Sequence, residues 1–167
     1  MLYLSDLIIS YNDFLFISSN VESIGLTRVV VKNEDATIVP LEKLVKALPK
    51  IKYIYLNENH KSSMITKNTF KELLIIPHFS KISNINLHGI PETFDFEKCF
   101  AFIKKNKQIE FSFVFSHEVS AACKTRLEAI IDEILQTENH NYKVPDIFFS
   151  GGDPEKSRKL RSLFDNN

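Results

Sequence analysis

The chain has no tryptophan, only four glycines and two cysteines in 167 residues, and no net charge, with 21 Lys and Arg against 21 Asp and Glu. Each shortage excludes something. Cys99 and Cys123 lie too far apart in sequence for a CxxC redox or zinc motif, and no further cysteine completes a site. A reduced, cytoplasmic setting and a fold held by its core are therefore expected. A balanced charge leaves no overall positive field to draw in a phosphate backbone, which sets nucleic acid aside as a partner. No window reaches the 18 uninterrupted apolar residues that a membrane span requires. The apolar N-terminus, MLYLSDLIISYNDFLFISS, lacks a basic leading region and a small-residue cleavage site, and carries Asp6 and Asp13 within it, so it does not read as a signal peptide.

What is present is an alternation. With 44% hydrophobic and 25% charged residues the composition is that of a globular domain, and 167 residues suit a single one, 1–167. Short β-type runs stand at 28–33 (RVVVKN), 51–57 (IKYIYLN), 82–88 (ISNINLH), 110–116 (EFSFVFS) and 145–150 (PDIFFS). Between them apolar residues recur at helical spacing. Leu41, Leu44, Val45 and Leu48 form one stripe, and Phe70, Leu73 and Leu74 a second. Phe96, Cys99, Phe100 and Ile103 form a third, and Leu127, Ile130, Ile131, Ile134 and Leu135 the longest, after Ser120 as N-cap. Leu4, Leu7, Ile8 and Tyr11 predict an N-terminal helix over 3–19, and Leu160, Leu163 and Phe164 predict a C-terminal capping helix over 154–165.

Aligned, the β-type runs share apolar positions spaced Φ-x-x-Φ-x-Φ. Leu26, Val29 and Val31 fit the frame, as do Ile51, Ile54 and Leu56, then Ile82, Ile85 and Leu87, then Val144, Ile147 and Phe149. Phe113 and Phe115 hold the last two places of the remaining unit, with Glu110 at its first. A period of one strand plus one helix is that of helix-strand solenoids. Leu48, Ile51, Ile54, Leu56 and Asn59 reproduce LxxLxxLxLxxN with Ile standing for Leu, and this unit resembles a leucine-rich repeat. Ile90, Glu34 and Gly152 replace the asparagine in other units. Because a buried asparagine ladder coils such repeats tightly, the resemblance implies a degenerate, open arc. The stretches VPLEKLVKALPKIKYIYLN and RLEAIIDEILQTENHNYKVPDIFF also resemble the repeat regions that follow the F-box in nematode F-box proteins. That resemblance implies substrate recruitment to a ubiquitin ligase, with the adaptor-binding element supplied elsewhere or lost, since no F-box is visible in this chain.

The same alternation suits a small doubly wound α/β domain, and the strand faces discriminate between the two. Strands covered on both faces read as continuous apolar runs. Here Ile54 and Leu56 alternate with Tyr53, Tyr55 and Asn57, and Ile85 and Leu87 alternate with Asn84, Asn86 and His88. The expected fold is accordingly an α/β leucine-rich-repeat-like solenoid with a short parallel sheet, one face of it open. That face is expected to carry Lys32, Tyr53, Tyr55, Asn84, Asn86, His88, Ser112, Val114, Ser116, Asp146 and Phe148. Tyrosines with amides and hydroxyls suit protein recognition, although the same residues also serve as plain solvated strand positions.

No enzyme is expected, and no cofactor. The five histidines show no HxH or HExxH spacing, the two cysteines fall on buried stripes, and Ser62 and Ser63 lack a nucleophile elbow. Lys104, Lys105 and Lys107, and the basic residues from Lys156 to Arg161, read as exposed helix faces or helix ends. The rival reading is a small α/β nucleotide-binding or hydrolase-like domain that uses the turn at Gly151 and Gly152. Asp153 as N-cap and Pro154 after it oppose that reading, since together they consume or remove the N–H groups a phosphate needs. The leading expectation is a non-enzymatic domain that binds a protein partner across the open strand face.

Overall fold

The computed structural model describes residues 1–58 and 63–167. Its elements run β1 (Leu2–Ser5), β2 (Ile8–Ser10), α1 (Tyr11–Ser18), β3 (Ser23–Thr27), β4 (Val30–Lys32), α2 (Leu41–Lys46), β5 (Tyr53–Asn57) and α3 (Thr69–Leu74). A 3-10 turn (Phe79–Lys81) follows, then β6 (Asn84–Ile90), α4 (Phe96–Ile103), β7 (Glu110–Phe115), α5 (Ala121–Gln136), β8 (Asp146–Phe148) and α6 (Pro154–Asp165). Six strands make one parallel sheet in the order β1-β3-β5-β6-β7-β8, and β2 pairs with β4 in a small parallel sheet of its own. The main sheet keeps sequence order throughout, with no reversal to create a switch point. Crossovers of one hand then carry every connection over the same face.

Burial follows that geometry. Leu4, Leu26, Leu56, Leu87, Phe113 and Ile147 lie in register across the sheet, and Ile24, Ile54, Ile85 and Phe111 make the neighbouring row. Against these rows pack Leu44 and Val45 of α2, Phe70 and Leu73 of α3, Cys99 and Phe100 of α4, and Leu127 and Ile131 of α5, all buried. The abundance of phenylalanine is spent here. Phe96 meets Phe113 and Phe115 edge-on, at centroid distances of 5.1 and 5.3 Å, and Phe111 stacks on Phe113 at 5.5 Å.

The structure corrects the N-terminal reading. Residues 3–19 are not one helix: β1 and β2 precede α1, which begins only after Ser10, whose hydroxyl accepts the Asp13 N–H. The spacing of Leu4, Leu7 and Ile8 satisfies a helix by coincidence. In LYLS the period is two, and Asp6, at φ 55°, turns the chain between the two strands. The expected strand at 28–33 is also displaced. Arg28, at φ 51°, ends the main-sheet strand β3, its guanidinium is bonded to Asp6, and only Val30–Lys32 continues as strand, in the small sheet. The places in register with Ile54 and Leu56 therefore belong to Ile24 and Leu26, not to Val29 and Val31. In β7 and β8 the register likewise sets Phe111 and Phe113, and then Ile147, where the sequence alignment had Phe113, Phe115 and Phe149.

The C-terminal end is closed. Asp153 accepts the N–H groups of Glu155 and Lys156, Pro154 opens α6, and Leu160 is fully buried. Arg161 donates to Asp146 at 2.6 Å, and Asn167 exchanges two hydrogen bonds with the Val144 backbone.

Candidate functional site

Strand alternation presents three rows of side chains on the face opposite the core. Tyr53, Asn84 and Glu110 form one row. Tyr3, Gly25, Tyr55, Asn86, Ser112 and Asp146 form the second, and Thr27, Asn57, His88, Val114 and Phe148 the third. Rings stay open to solvent here: Tyr3 is 56% exposed, Tyr53 50% and Phe148 49%. Aromatic residues on a strand normally seek cover, and among the described residues no helix supplies it on this face.

Local contacts hold the rings in place. Tyr3 leans an edge of its ring against Gly25, so that a Cβ at Gly25 would stand 2.5 Å from Tyr3 Cδ2, and its hydroxyl shares a hydrogen bond with Thr27 Oγ1 at 2.8 Å. The rings of Tyr55 and His88 are tilted against each other at 5.3 Å. Asn84 Nδ2 donates to Glu110 at 2.7 Å. Asn86 Oδ1 is buried and has no hydrogen-bond partner among the described residues. A depression of about 370 Å³ lies among Tyr3, Gly25, Tyr53, Tyr55, Asn84 and Asn86.

Charge is muted across this face. Glu110 lies 3.9 Å from Lys143 and Asp146 is paired with Arg161. Burial holds the His88 imidazole below its ordinary pKa, against a smaller opposing pull from Asp146, which favours the neutral ring.

Of the residues expected on the open face, Tyr53, Tyr55, Asn84, Asn86, His88, Ser112, Val114, Asp146 and Phe148 lie in these rows, with Ser112 itself buried. Lys32 and Ser116 do not. Lys32 belongs to β4 and lines a separate depression of about 560 Å³ with Ser10, Tyr11 and Glu34. Ser116 follows β7, is buried, and donates its backbone N–H to Ile90. Tyr3, Gly25, Thr27, Asn57 and Glu110 stand in these rows without having been expected there. Tyr3 and Gly25 were lost with the first strands, although the period-two LYLS was the available signal.

A second chemically distinct place lies at the C-terminal end of β5. Glu58 is buried, and its carboxylate accepts the Ser63 hydroxyl and the Met64 N–H. Burial pushes its pKa up from 4.5 to about 7, outweighing the opposing hydrogen bonds. Gly89, at φ 84°, makes room for it: a Cβ there would stand 3.3 Å from the Glu58 Cβ and carbonyl oxygen, and the β6–β7 register shifts at this point.

Other candidates resolve simply. Cys99 and Cys123 are buried and free, and burial raises the Cys99 thiol well above its ordinary range, the reverse of what a nucleophile needs. Asn59, His60 and Ser62 lie outside the described residues. Among the described residues no group of three or more His, Cys, Asp or Glu could hold a metal ion, and no helix is long and apolar enough to cross a membrane. At the Gly151–Gly152 turn, Gly152 packs on the Phe149 ring and Asp153 occupies the first free donors of α6.

Comparison of the chain with family models, with curated proteins and with solved structures returns no match. What fold and site define is a class: an α/β protein whose six-stranded parallel sheet has helices against one face and an aromatic, amide-rich opposite face.

Proposed function

We propose that the chain is a non-enzymatic protein-interaction domain, a leucine-rich-repeat-like arc that binds a partner across its open strand face. The observation that carries the reading is the set of half-exposed rings, Tyr3, Tyr53 and Phe148, standing in register with Asn84, Asn86 and His88 on an uncovered face. Tyrosine supplies contact area at low entropic cost, and amides beside it supply hydrogen bonds. The likeness of 39–57 and 126–149 to the regions that follow an F-box supports recruitment of a ligase substrate as the setting for such binding. Replacing Tyr55 and Phe148 by Ala tests the reading. Partner recovery falls while the melting temperature holds if the face binds; unchanged recovery at an unchanged melting temperature refutes it.

A further inference from the structure

We propose that the outer edge of β1 is a dimerisation edge: two copies of this chain join β1 to β1 in antiparallel, about a two-fold axis normal to the sheet beside Leu4, and so build one continuous sheet. The proposal stands apart from the reading of the open face.

The two ends of the main sheet are finished differently. At the C-terminal end α6 packs on β8 with Leu160 fully buried, and Asn167 exchanges hydrogen bonds with both the N–H and the C=O of Val144, as a neighbouring strand would. At the other end β1 pairs with β3 alone, and no strand among the described residues pairs with its outer edge. Its sequence, LYLS, carries neither charge nor proline, the usual guards of an exposed edge.

One hydrogen bond fixes the direction of the backbone groups. Asp6 gives its N–H to the Thr27 carbonyl of β3, so the C=O of Ser5, in the same trans peptide plane, points away from β3. Alternation along the strand turns the N–H and C=O of Tyr3 outward with those of Ser5, while the backbone groups of Leu4 turn to β3. With the axis beside Leu4, Tyr3 stands opposite Ser5 of the second copy and Ser5 opposite its Tyr3, and each pair exchanges both of its hydrogen bonds. Leu4, only half-buried in the single chain, meets its mate at the close, non-hydrogen-bonded position where cross-strand side chains pack. An axis normal to the sheet keeps the core rows on one side and both open faces on the other.

The helical layer agrees. Asn12 reaches Glu34 at 3.4 Å and Lys43 lies over the Tyr11 ring at 4.5 Å, which marks the flank of α1 turned toward β4 and α2. At ~100° per residue Ile17 stands on the opposite flank, and it is 41% exposed. In the dimer that flank turns toward its mate. The occupant is a second copy because the edge is complementary to itself and because a chain of zero net charge does not repel its copies. The closed C-terminal end prevents head-to-tail growth, so association stops at an isologous pair. Four strand residues a side are far fewer than the roughly 20–30 of a standard interface, so the dimer is weak and concentration-dependent.

The test takes the whole 167-residue chain through sedimentation equilibrium from about 10 to about 1,000 µM, the range of small interfaces, with amide exchange followed by NMR at the same concentrations. The mass is expected to climb from 19.3 kDa toward twice that value. Exchange at Tyr3 and Ser5 should slow with concentration, while Leu4 and Asp6 keep the protection that β3 already gives them. Ser5→Pro removes an outward N–H and no bond within the chain; it should weaken the dimer at least tenfold at an unchanged melting temperature. Ile17→Lys, which brings like charges together across the axis, should weaken it as well. If Ser5→Pro does not fold, exchange in the unaltered chain still decides. A mass of 19.3 kDa at every concentration overturns the proposal and leaves the edge to a strand of another protein. A dimer in which Tyr3 and Ser5 exchange as fast as in the dilute chain overturns it too, since the contact then lies elsewhere, and so does open-ended growth beyond two copies.

Discussion

Replacing Glu58 by Gln should remove a pH dependence from the stability of the fold. The carboxyl titrates near 4.5 in the open chain and at about 7 in the folded protein, because burial disfavours its charge. The folded state therefore holds a proton that the unfolded state has already released, and stability falls as pH rises from about 4.5 to about 7. Below that window both states are protonated and nothing is lost; above it the full loss is present. At ~1.4 kcal/mol per pH unit the difference amounts to about 3 kcal/mol. Gln reproduces the protonated group. Its amide can donate to Ser63 Oγ, which turns its own hydrogen to the Ile65 carbonyl at 3.0 Å, and its carbonyl accepts the Met64 N–H. Urea denaturation of both proteins followed by circular dichroism at pH 4.5, 6, 7 and 8 isolates the effect, since every other group titrates alike in the two. Equal stability is expected at pH 4.5, with Glu58→Gln ahead by about 2–3 kcal/mol at pH 8. Parallel curves would refute the claim that this carboxyl is buried and uncompensated, and so would a variant that is less stable at pH 8.

Two further perturbations probe the scaffold. Gly25→Ala drives a methyl into the Tyr3 ring; the half-exposed ring can swing away, losing its bond to Thr27 at ~1 kcal/mol, while removal of a strand glycine returns a similar amount. Stability should change by less than about 1 kcal/mol while the Tyr3 ring resonances move, and a loss of several kcal/mol would mean that the ring cannot leave. Ser120→Ala removes the hydroxyl that caps α5 through the Cys123 N–H and should cost about 1 kcal/mol in urea denaturation, an unchanged midpoint counting against the cap.

Much of this architecture can be read from period alone. Ile54 and Leu56, and Ile85 and Leu87, alternate with polar partners, and that alternation places Tyr53, Tyr55, Asn84, Asn86 and His88 on one face, where the structure has them. Where the reading slipped, a local pattern mimicked another element. Val29, Val30 and Val31 advertise a strand more loudly than SIGLT at 23–27, yet Arg28 turns the chain so that the valines serve the small sheet. Lys32 moved off the open face with them. Glu58 was not legible because its sequence neighbours do not mark a buried carboxyl: its environment comes from Ser63 and Met64, further along the same connection, and from Gly89 on the neighbouring strand β6. Gly89, a glycine directly after the β-type run 82–88, was the one available hint, since a glycine in a strand often marks a bulge or a close backbone approach.

The measurement that bears most directly on the open face is site-specific photo-crosslinking in cells. A benzoylphenylalanine is placed at Tyr53 or Phe148 on the face, or at the still more solvent-exposed Phe16 or Ile75 on the helical side. The account predicts one discrete crosslinked product shared by positions 53 and 148 and absent from 16 and 75. The same product from the helical positions, with none from the face, would contradict it.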